Sequence, residues 1–159
     1  MPPVDSPWTV VTGEIEHLKD AGIEHIIIDF HAEATAEKIA LGYFLDGKVT
    51  CIFGTHTHVQ TADENILEKG TAYITDIGMT GAKKSVIGMN IDVAIKRFVT
   101  TLPEKFRVSQ DKEIILNGCI VKINDESCRA EKITRIKLWY LAKYINFTRP
   151  KLPFFTRKL

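Results

Sequence analysis

The chain has 159 residues, is 45% hydrophobic and 26% charged, and carries a formal net charge of +1. This length predicts one domain, and the composition excludes an intrinsically disordered or collagen-like chain. No run approaches the roughly 18 apolar residues of a membrane-spanning helix, and three cysteines without a CxxC pair indicate a reduced, cytoplasmic protein.

The first two thirds of the chain show alternating helical and strand patterns. Apolar residues recur at helical spacing in three segments, which predicts helices at residues 9–21, 33–46 and 91–102. Short apolar runs predict strands at residues 25–30, 49–53 and 71–75. The first two runs are unbroken, as in strands buried on both faces of a parallel sheet. This part of the chain therefore predicts an α/β fold.

The last third has a different pattern. Alternating and β-branched residues predict antiparallel strands at residues 106–110, 114–123 and 130–138. A final amphipathic helix at residues 136–147 is also compatible with the pattern. The sequence thus predicts an α/β part followed by a β-rich part.

Charge separates the end of the chain from the rest. Residues 131–159 carry eight basic side chains and one acidic one, a net charge of +7, whereas residues 1–130 carry thirteen basic and nineteen acidic ones, a net charge of −6. An acidic body is typical of a protein that gathers cations. The aromatic and basic tail suits an anionic membrane surface or RNA, and it suits equally well docking on the chain's own body.

Three of the five histidines follow predicted strands. His31 comes directly after the first strand, and His56 and His58 come shortly after the second. The carboxyl ends of parallel strands form the crevice where ligands bind, so the three imidazoles are expected at one rim. Neutral imidazole is a common ligand of zinc, iron and manganese, which predicts a metal site there. His17 and His25 have no partner in spacing and are interpreted as solvated.

Several carboxylates follow the same strands and are candidates for orienting the imidazole rings. Asp29 lies inside the first apolar run and is expected to face the rim or a buried partner. Glu33 follows two residues after the first histidine, where it could equally cap a helix. Asp63 and Glu64 follow the His-x-His pair and could equally lie in a solvated loop. Asp76, after the third strand, is a further candidate for the rim.

The strings DFHAEAT (29–35), GTHTHVQT (54–61) and GTAYITDIGMTG (70–81) resemble one family. It is the YmdB-like group of calcineurin-type metallophosphoesterases, bacterial phosphodiesterases with two metal ions. The resemblance extends from about residue 3 to about residue 136, which divides the chain into a metallophosphoesterase-like domain at 1–137 and a tail at 138–159. It implies part of an αββα sandwich with a β-rich C-terminal half.

The resemblance also implies a chemistry for the site. His31 and His56 would ligate one divalent ion and His58 a second, iron or manganese being expected. The implied reaction is hydrolysis of phosphodiesters, cyclic nucleotides included, by a hydroxide that two metal ions activate.

The chain departs from the family before His31. The family carries an early Asp, a Gly-Glu-Asn motif and an Asn-His pair, which supply further ligands, the bridging group and a proton donor, and none of them is found here. The chain therefore resembles a C-terminal half, and activity is expected to need an N-terminal half from another chain or from a homo-oligomer. The alternative is a catalytically inactive remnant or interaction module, since three neutral imidazoles cannot offset two dications.

Overall fold

A computed structural model describes residues 5–141 of the chain, which form a mixed α/β fold as the sequence predicts. The elements are α1 (Pro7–Asp20), β1 (Ile27–His31), α2 (Thr35–Leu45), β2 (Cys51–Thr55), β3 (Asn65–Ile66), β4 (Ala72–Ile74), β5 (Thr80–Ala82), α3 (Ile91–Thr100), β6 (Glu113–Asn124) and β7 (Arg129–Leu141). Among these described elements, no helix combines the length and the apolar character that crossing a bilayer demands.

The strands form two sheets. The first has the order β1-β2-β4-β3, in which β1, β2 and β4 run parallel and β3 runs antiparallel to β4. The second is an antiparallel sheet of order β5-β6-β7. In the first sheet His31 is in register with Thr55, so β1 and β2 end side by side. The segments that leave these two strands therefore begin next to each other.

Apolar packing on both faces holds the first sheet in place. One face packs against α1 and α2 through a buried cluster made of Ile15, Ile26, Leu41, Leu45, Val49, Ile52, Leu67 and Tyr73. The other face packs against the second sheet through Cys51, Ala72, Ile74, Ala130 and Ile133. Strands β2 and β4 thus lie between two layers, and because interiors are close-packed their ends have little freedom to shift.

Strand β1 is less buried than its sequence predicts. It pairs only with β2 among the described residues, and its residues alternate between exposed and half-buried. Ile27 is 59% exposed although it lies inside an unbroken apolar run. The expectation of burial on both faces is therefore wrong for β1. A run of apolar residues indicates that a strand is favoured in a buried position. It does not indicate which other part of a protein packs against that strand.

Two further predictions differ from the structure, and two short strands were not predicted. Residues 106–110 form no strand, because Val108 makes only an isolated bridge to Met89. Residues 136–141 belong to β7, so the predicted helix at 136–147 is wrong there, and residues 142–147 lie outside the described residues. Strands β3 and β5 were not predicted, since runs of two and three residues carry no periodicity.

Strand β7 crosses the predicted division of the chain at residue 137 and continues to Leu141. The rest of the tail, residues 142–159, lies outside the described residues. The division into 1–137 and 138–159 stays a prediction.

Candidate metal centre

His31 and His56 meet at the carboxyl ends of β1 and β2. The Nε2 atom of His31 lies 3.1 Å from the Nδ1 atom of His56, within hydrogen-bond distance. The two ring centroids are 5.0 Å apart, with the rings nearly perpendicular. The sequence predicts that these two imidazoles converge, and the parallel register of the strands brings them together.

A threonine that the sequence analysis missed orients His31. The Thr55 hydroxyl donates a hydrogen bond to Asp29 Oδ1 at 2.9 Å, and the same oxygen lies 3.1 Å from His31 Nδ1. A carboxylate only accepts, so the hydroxyl hydrogen is committed to Asp29 and the Nδ1 atom of His31 is the donor to Thr55. This arrangement leaves the lone pair of His31 on Nε2, the nitrogen that faces His56. Residues 29, 31 and 55 share one face of the sheet by register, which is the signal that could have identified Thr55.

The backbone around the second histidine pair is strained. His56 has φ 119° and His58 has φ 65°, both in the region that favours glycine. Such conformations cost on the order of 1–3 kcal/mol each, and they persist only where the surrounding structure enforces them. Strained residues cluster at functional sites, so this backbone is independent support for a site at residues 56–58.

A buried ion pair lies beneath the loop of residues 56–58 and holds its strained backbone in place. Lys38 Nζ lies 3.1 Å from Asp76 Oδ2, and both side chains are 1% exposed. The same Oδ2 accepts a hydrogen bond from the Thr57 backbone N–H at 2.9 Å. Lys38 also donates to the Thr55 carbonyl at 3.3 Å. The pair therefore attaches the loop between the two histidines to helix α2 and to the end of β4.

Hydrogen bonds keep Asp76 ionised inside the protein. Burial alone would raise the pKa of this carboxyl group, but backbone N–H groups of Thr57 and Gly78 and the Lys38 ammonium outweigh burial, and the pKa lies below its ordinary value. The sequence places Asp76 as a candidate for the rim. In the structure Asp76 is fully buried and acts on the loop from below, together with Lys38, which no sequence pattern singled out.

Gly54 allows this close packing. A Cβ atom at this position would lie 1.9 Å from the Thr75 carbonyl oxygen and 2.6 Å from Lys38 Cδ. Only a residue without a side chain fits between β4 and the buried lysine. The glycine before the His-x-His pair therefore has a packing role.

His58 points to another part of the protein. Its Nδ1 atom lies 3.0 Å from the carbonyl oxygen of Ile87, in the loop that precedes α3. Within residues 5–141, no group of three or more His, Cys, Asp or Glu side chains is arranged to hold a metal ion. His58 as a ligand of a second ion stays a prediction.

The carboxylates proposed to support the imidazoles have different partners in the structure. Asp63 accepts hydrogen bonds from the backbone N–H of Thr75 at 3.2 Å and from the Thr75 hydroxyl. Burial raises its pKa, but these bonds and one from Thr61 outweigh it, so the pKa lies below its ordinary value. Glu64 forms an ion pair with Arg135 at 2.6 Å, and Glu33 is exposed after β1. The orienting role of Glu33 and Asp63 stays a prediction, and Asp29 is the carboxylate linked to an imidazole.

The two converging nitrogen atoms suit one divalent ion. For metal–nitrogen distances of about 2.1 Å, two ligands at a right angle lie about 3.0 Å apart. The observed separation of 3.1 Å between His31 Nε2 and His56 Nδ1 matches this value. Two neutral imidazoles do not complete a coordination shell, and residues 5–141 offer no third His, Cys, Asp or Glu ligand beside them.

Comparison with known proteins shows extensive similarity. The model of the YmdB-like protein family matches residues 1–136. The 2',3'-cyclic-nucleotide 2'-phosphodiesterase of Bacillus subtilis (strain 168) is 48% identical over 136 residues, which cover 86% of this chain and 51% of that protein. The chain thus spans about half the length of this relative.

Two solved structures have the same fold over most of the chain. A hypothetical protein from Thermus thermophilus gives a TM-score of 0.79 at 34% identity, covering 87% of this chain and 53% of that one. A phosphatase from Mycoplasma pneumoniae gives a TM-score of 0.79 at 39% identity, covering 87% and 49%. In each case about half of the other chain has no counterpart here.

Proposed function

Because this chain belongs to the YmdB-like family, we propose that it is the part of a metal-dependent phosphodiesterase that supplies His31 and His56 to a divalent ion. The observation that carries the proposal is the 3.1 Å separation of the two imidazole nitrogens, one at the end of β1 and the other on a strained loop that Asp76 and Lys38 hold. Iron and manganese are the ions that the resemblance favours, and both accept imidazole ligands.

The residues of this chain position and polarise the ligands. Asp29 and Thr55 hold His31 in the tautomer whose Nε2 lone pair faces the site. Such outer partners raise the basicity of a ligating imidazole and prevent its rotation. The ion pair of Lys38 and Asp76 holds the loop that carries His56. A bound divalent ion would supply Lewis-acid stabilisation of negative charge on phosphoryl oxygens.

We propose a phosphodiester substrate of the cyclic-nucleotide class. The support is the name of the Bacillus subtilis relative, a 2',3'-cyclic-nucleotide 2'-phosphodiesterase that is 48% identical over 136 residues. The proposal also includes a second ion near His58, on the strength of the family resemblance. It includes an orienting role for Glu33 and Asp63, which follow the histidines closely in sequence.

The exposed side of β1 is where the rest of such a domain would attach. Strand β1 has no neighbour on its outer edge among residues 5–141, and its exposed face carries Asp29 and His31. An unpaired strand edge is a template for further pairing. We propose that the other half of the family domain covers this edge and brings anionic oxygen ligands to His31 and His56, whether it belongs to another chain or to a longer polypeptide.

Metal titration tests the ligand assignment. In isothermal titration calorimetry with Mn²⁺, the 159-residue chain is expected to take up one ion weakly through His31 and His56. His56→Ala is expected to abolish this uptake, while His17→Ala, which removes an exposed imidazole of α1, leaves it unchanged. Equal uptake by the His56→Ala variant and the unaltered chain would contradict the assignment.

Reconstitution tests the reaction. The part of the Bacillus subtilis relative that this chain does not cover is co-expressed with this chain, and hydrolysis of a 2',3'-cyclic nucleotide is followed with added Mn²⁺. We expect hydrolysis that needs both the metal and His56, and none from either half alone. A stable complex that binds metal but hydrolyses nothing would refute the proposed reaction.

The alternative function is a catalytically inactive interaction module. It is favoured by the absence, within residues 5–141, of any three-residue ligand group. In this case the uncovered part of the relative binds at the β1 edge, and no metal-dependent hydrolysis follows. The reconstitution experiment therefore separates the two functions.

A further inference from the structure

A pocket lies at the opposite end of the first sheet from the histidines. It has a volume of about 460 Å³ and is formed by the loops that precede β1, β2 and β4 together with the turn between β6 and β7. Its charged lining side chains are Lys19, Lys48, Lys69, Arg129, Glu24 and Glu126. We call it the basal pocket. Its volume lies within the roughly 300–1,000 Å³ that is usual for small-ligand sites.

Positive charge is concentrated in the basal pocket. Residues 1–130 carry a net charge of −6, yet four of their thirteen basic side chains line this pocket with only two carboxylates. None of these four forms an ion pair within residues 5–141, whereas Lys38, Lys83, Lys96, Lys122 and Arg135 each do. The Lys48 ammonium lies 4.2 Å from the centre of the Phe44 ring, so it is the cation of the four with another partner. A concave surface in which one sign of charge predominates attracts an oppositely charged ligand.

The backbone holds two of these cations against the pocket wall. A Cβ atom at Gly47 would lie 2.8 Å from Lys69 Cβ, and a Cβ atom at Gly70 would lie 2.9 Å from Arg129 Cδ. Both glycines have positive φ, 77° and 96°, which a side chain at the same position would oppose. The aliphatic stems of Lys69 and Arg129 therefore rest directly on glycine backbone within the lining of the pocket.

The remaining groups of the pocket add little negative charge near Arg129. Glu24 lies 3.6 Å from the Cys128 thiol, which donates to its carboxylate. Desolvation and the nearby Glu24 charge raise the pKa of Cys128, so this thiol is neutral at pH 7. Two carboxylates thus remain against four cations.

We propose that the basal pocket binds a small phosphorylated anion with at least two negative charges. Lysine ammonium and arginine guanidinium groups are the side chains that bind phosphate oxygens most strongly, arginine with two parallel hydrogen bonds. The shared chemistry is the phosphoryl group, whether it belongs to an inorganic anion or to a nucleotide. This site is separate from the histidines and does not depend on the proposed phosphodiesterase function.

The test uses inorganic pyrophosphate as the first probe. The 159-residue chain is titrated with pyrophosphate in EDTA, which removes metal ions, and binding is measured by calorimetry and by amide chemical shifts. Saturable binding is expected, with the largest shifts at Gly22, Gly47 and Gly70. Binding is also expected to weaken as salt is added, because exposed charges are screened. ADP in place of pyrophosphate shows whether a nucleoside contributes further affinity.

Matched variants locate the binding. Lys69→Gln and Arg129→Gln are each expected to weaken pyrophosphate binding roughly tenfold, since each removes one charge that contacts phosphate. Lys112→Gln, an exposed lysine outside the pocket, and His56→Ala are expected to leave binding unchanged. The shift map keeps the proposal testable if either glutamine variant fails to fold.

Three results would overturn the proposal. The first is the absence of saturable pyrophosphate binding. The second is an equal loss of affinity in Lys112→Gln, which would indicate attraction by general surface charge. The third is binding of a single-stranded RNA oligonucleotide without binding of pyrophosphate or ADP, which would make the pocket part of a macromolecular surface. Failure of the phosphodiesterase reconstitution has no bearing on these measurements.

Discussion

Replacing Asp76 by asparagine removes the negative partner of an ion pair that water does not reach. Asparagine keeps one oxygen but turns an NH₂ group towards the other side of the former carboxylate. One Asp76 oxygen accepts hydrogen bonds from Thr57 and Lys38, and the other accepts one from Gly78. In the variant, the new NH₂ group would therefore point at one of these donors and could not accept its hydrogen bond. Lys38, 1% exposed, would keep its charge without a counter-ion.

The expected loss of stability is large. Removing one partner of a buried ion pair costs about 3–5 kcal/mol, because the other charge stays buried and uncompensated. The matched control is Glu113→Gln, which makes the same chemical change in the exposed pair of Lys83 and Glu113 at 2.9 Å. That pair is solvated, so its removal should cost about 0–1 kcal/mol.

Urea unfolding of the full chain, followed by circular dichroism, measures both losses of free energy. A second variant, Asp76→Asn combined with Lys38→Met, removes both charges and should recover part of the stability. If Asp76→Asn unfolds within about 1 kcal/mol of the unaltered chain, the buried pair is not what holds the loop of His56.

The loss of stability in Asp76→Asn is expected to depend on pH. Hydrogen bonds hold the pKa of Asp76 below its ordinary value, so its stabilisation is complete above the pKa of the unfolded chain, about 3.9. This stabilisation is lost as the pH falls through the lower pKa of the folded state. The difference in unfolding free energy between the unaltered chain and Asp76→Asn should therefore be constant near neutral pH and shrink below about pH 4. A difference that grows on acidification would contradict this account.

Two further substitutions test the loop and the ligand orientation. Gly54→Ala places a Cβ atom 1.9 Å from the Thr75 carbonyl oxygen and should strongly destabilise the chain in urea unfolding, whereas Gly13→Ala, with nothing within 4 Å in helix α1, should stabilise it by about 0.5–1 kcal/mol. Equal effects of the two alanines would show that β2 can move away from β4. Thr55→Val breaks the link from the carboxylate to His31 and should weaken Mn²⁺ uptake roughly 10- to 100-fold in calorimetry, with Gly13→Ala again as the control. Unchanged Mn²⁺ affinity would mean that the threonine does not orient the ligand.

The sequence predicted the parts of the site that lie within short segments. Apolar runs located β1 and β2, and the position of His31 and His56 after them predicted that the two imidazoles meet. The strings around residues 29–35 and 54–61 led to the family, which the match over residues 1–136 confirms. Both conclusions depend on residues that are close together in sequence. Strands were located from the hydropathy of short runs, and the family was identified from short strings of residues.

The supporting residues could not be predicted in the same way. Lys38 belongs to an amphipathic helical pattern in which a lysine is expected to be solvated, and only the packing of α2 against the sheet buries it beside Asp76. Thr55 has no pattern of its own, and its role comes from a register that places it next to His31.

The sequence by itself determined the α/β character of the chain, the order of most helices and strands, and the strands that deliver two histidines to one edge. Only the tertiary structure decided that His58 points to the Ile87 loop, that β1 lies at an edge, and that four cations gather at the far end of the sheet. The physical reason is that hydropathy acts between neighbours along the chain, whereas register and layer packing join residues that are far apart in sequence. Asp76 and Lys38 are 38 positions apart, and only the folded chain brings their charges within 3.1 Å of each other.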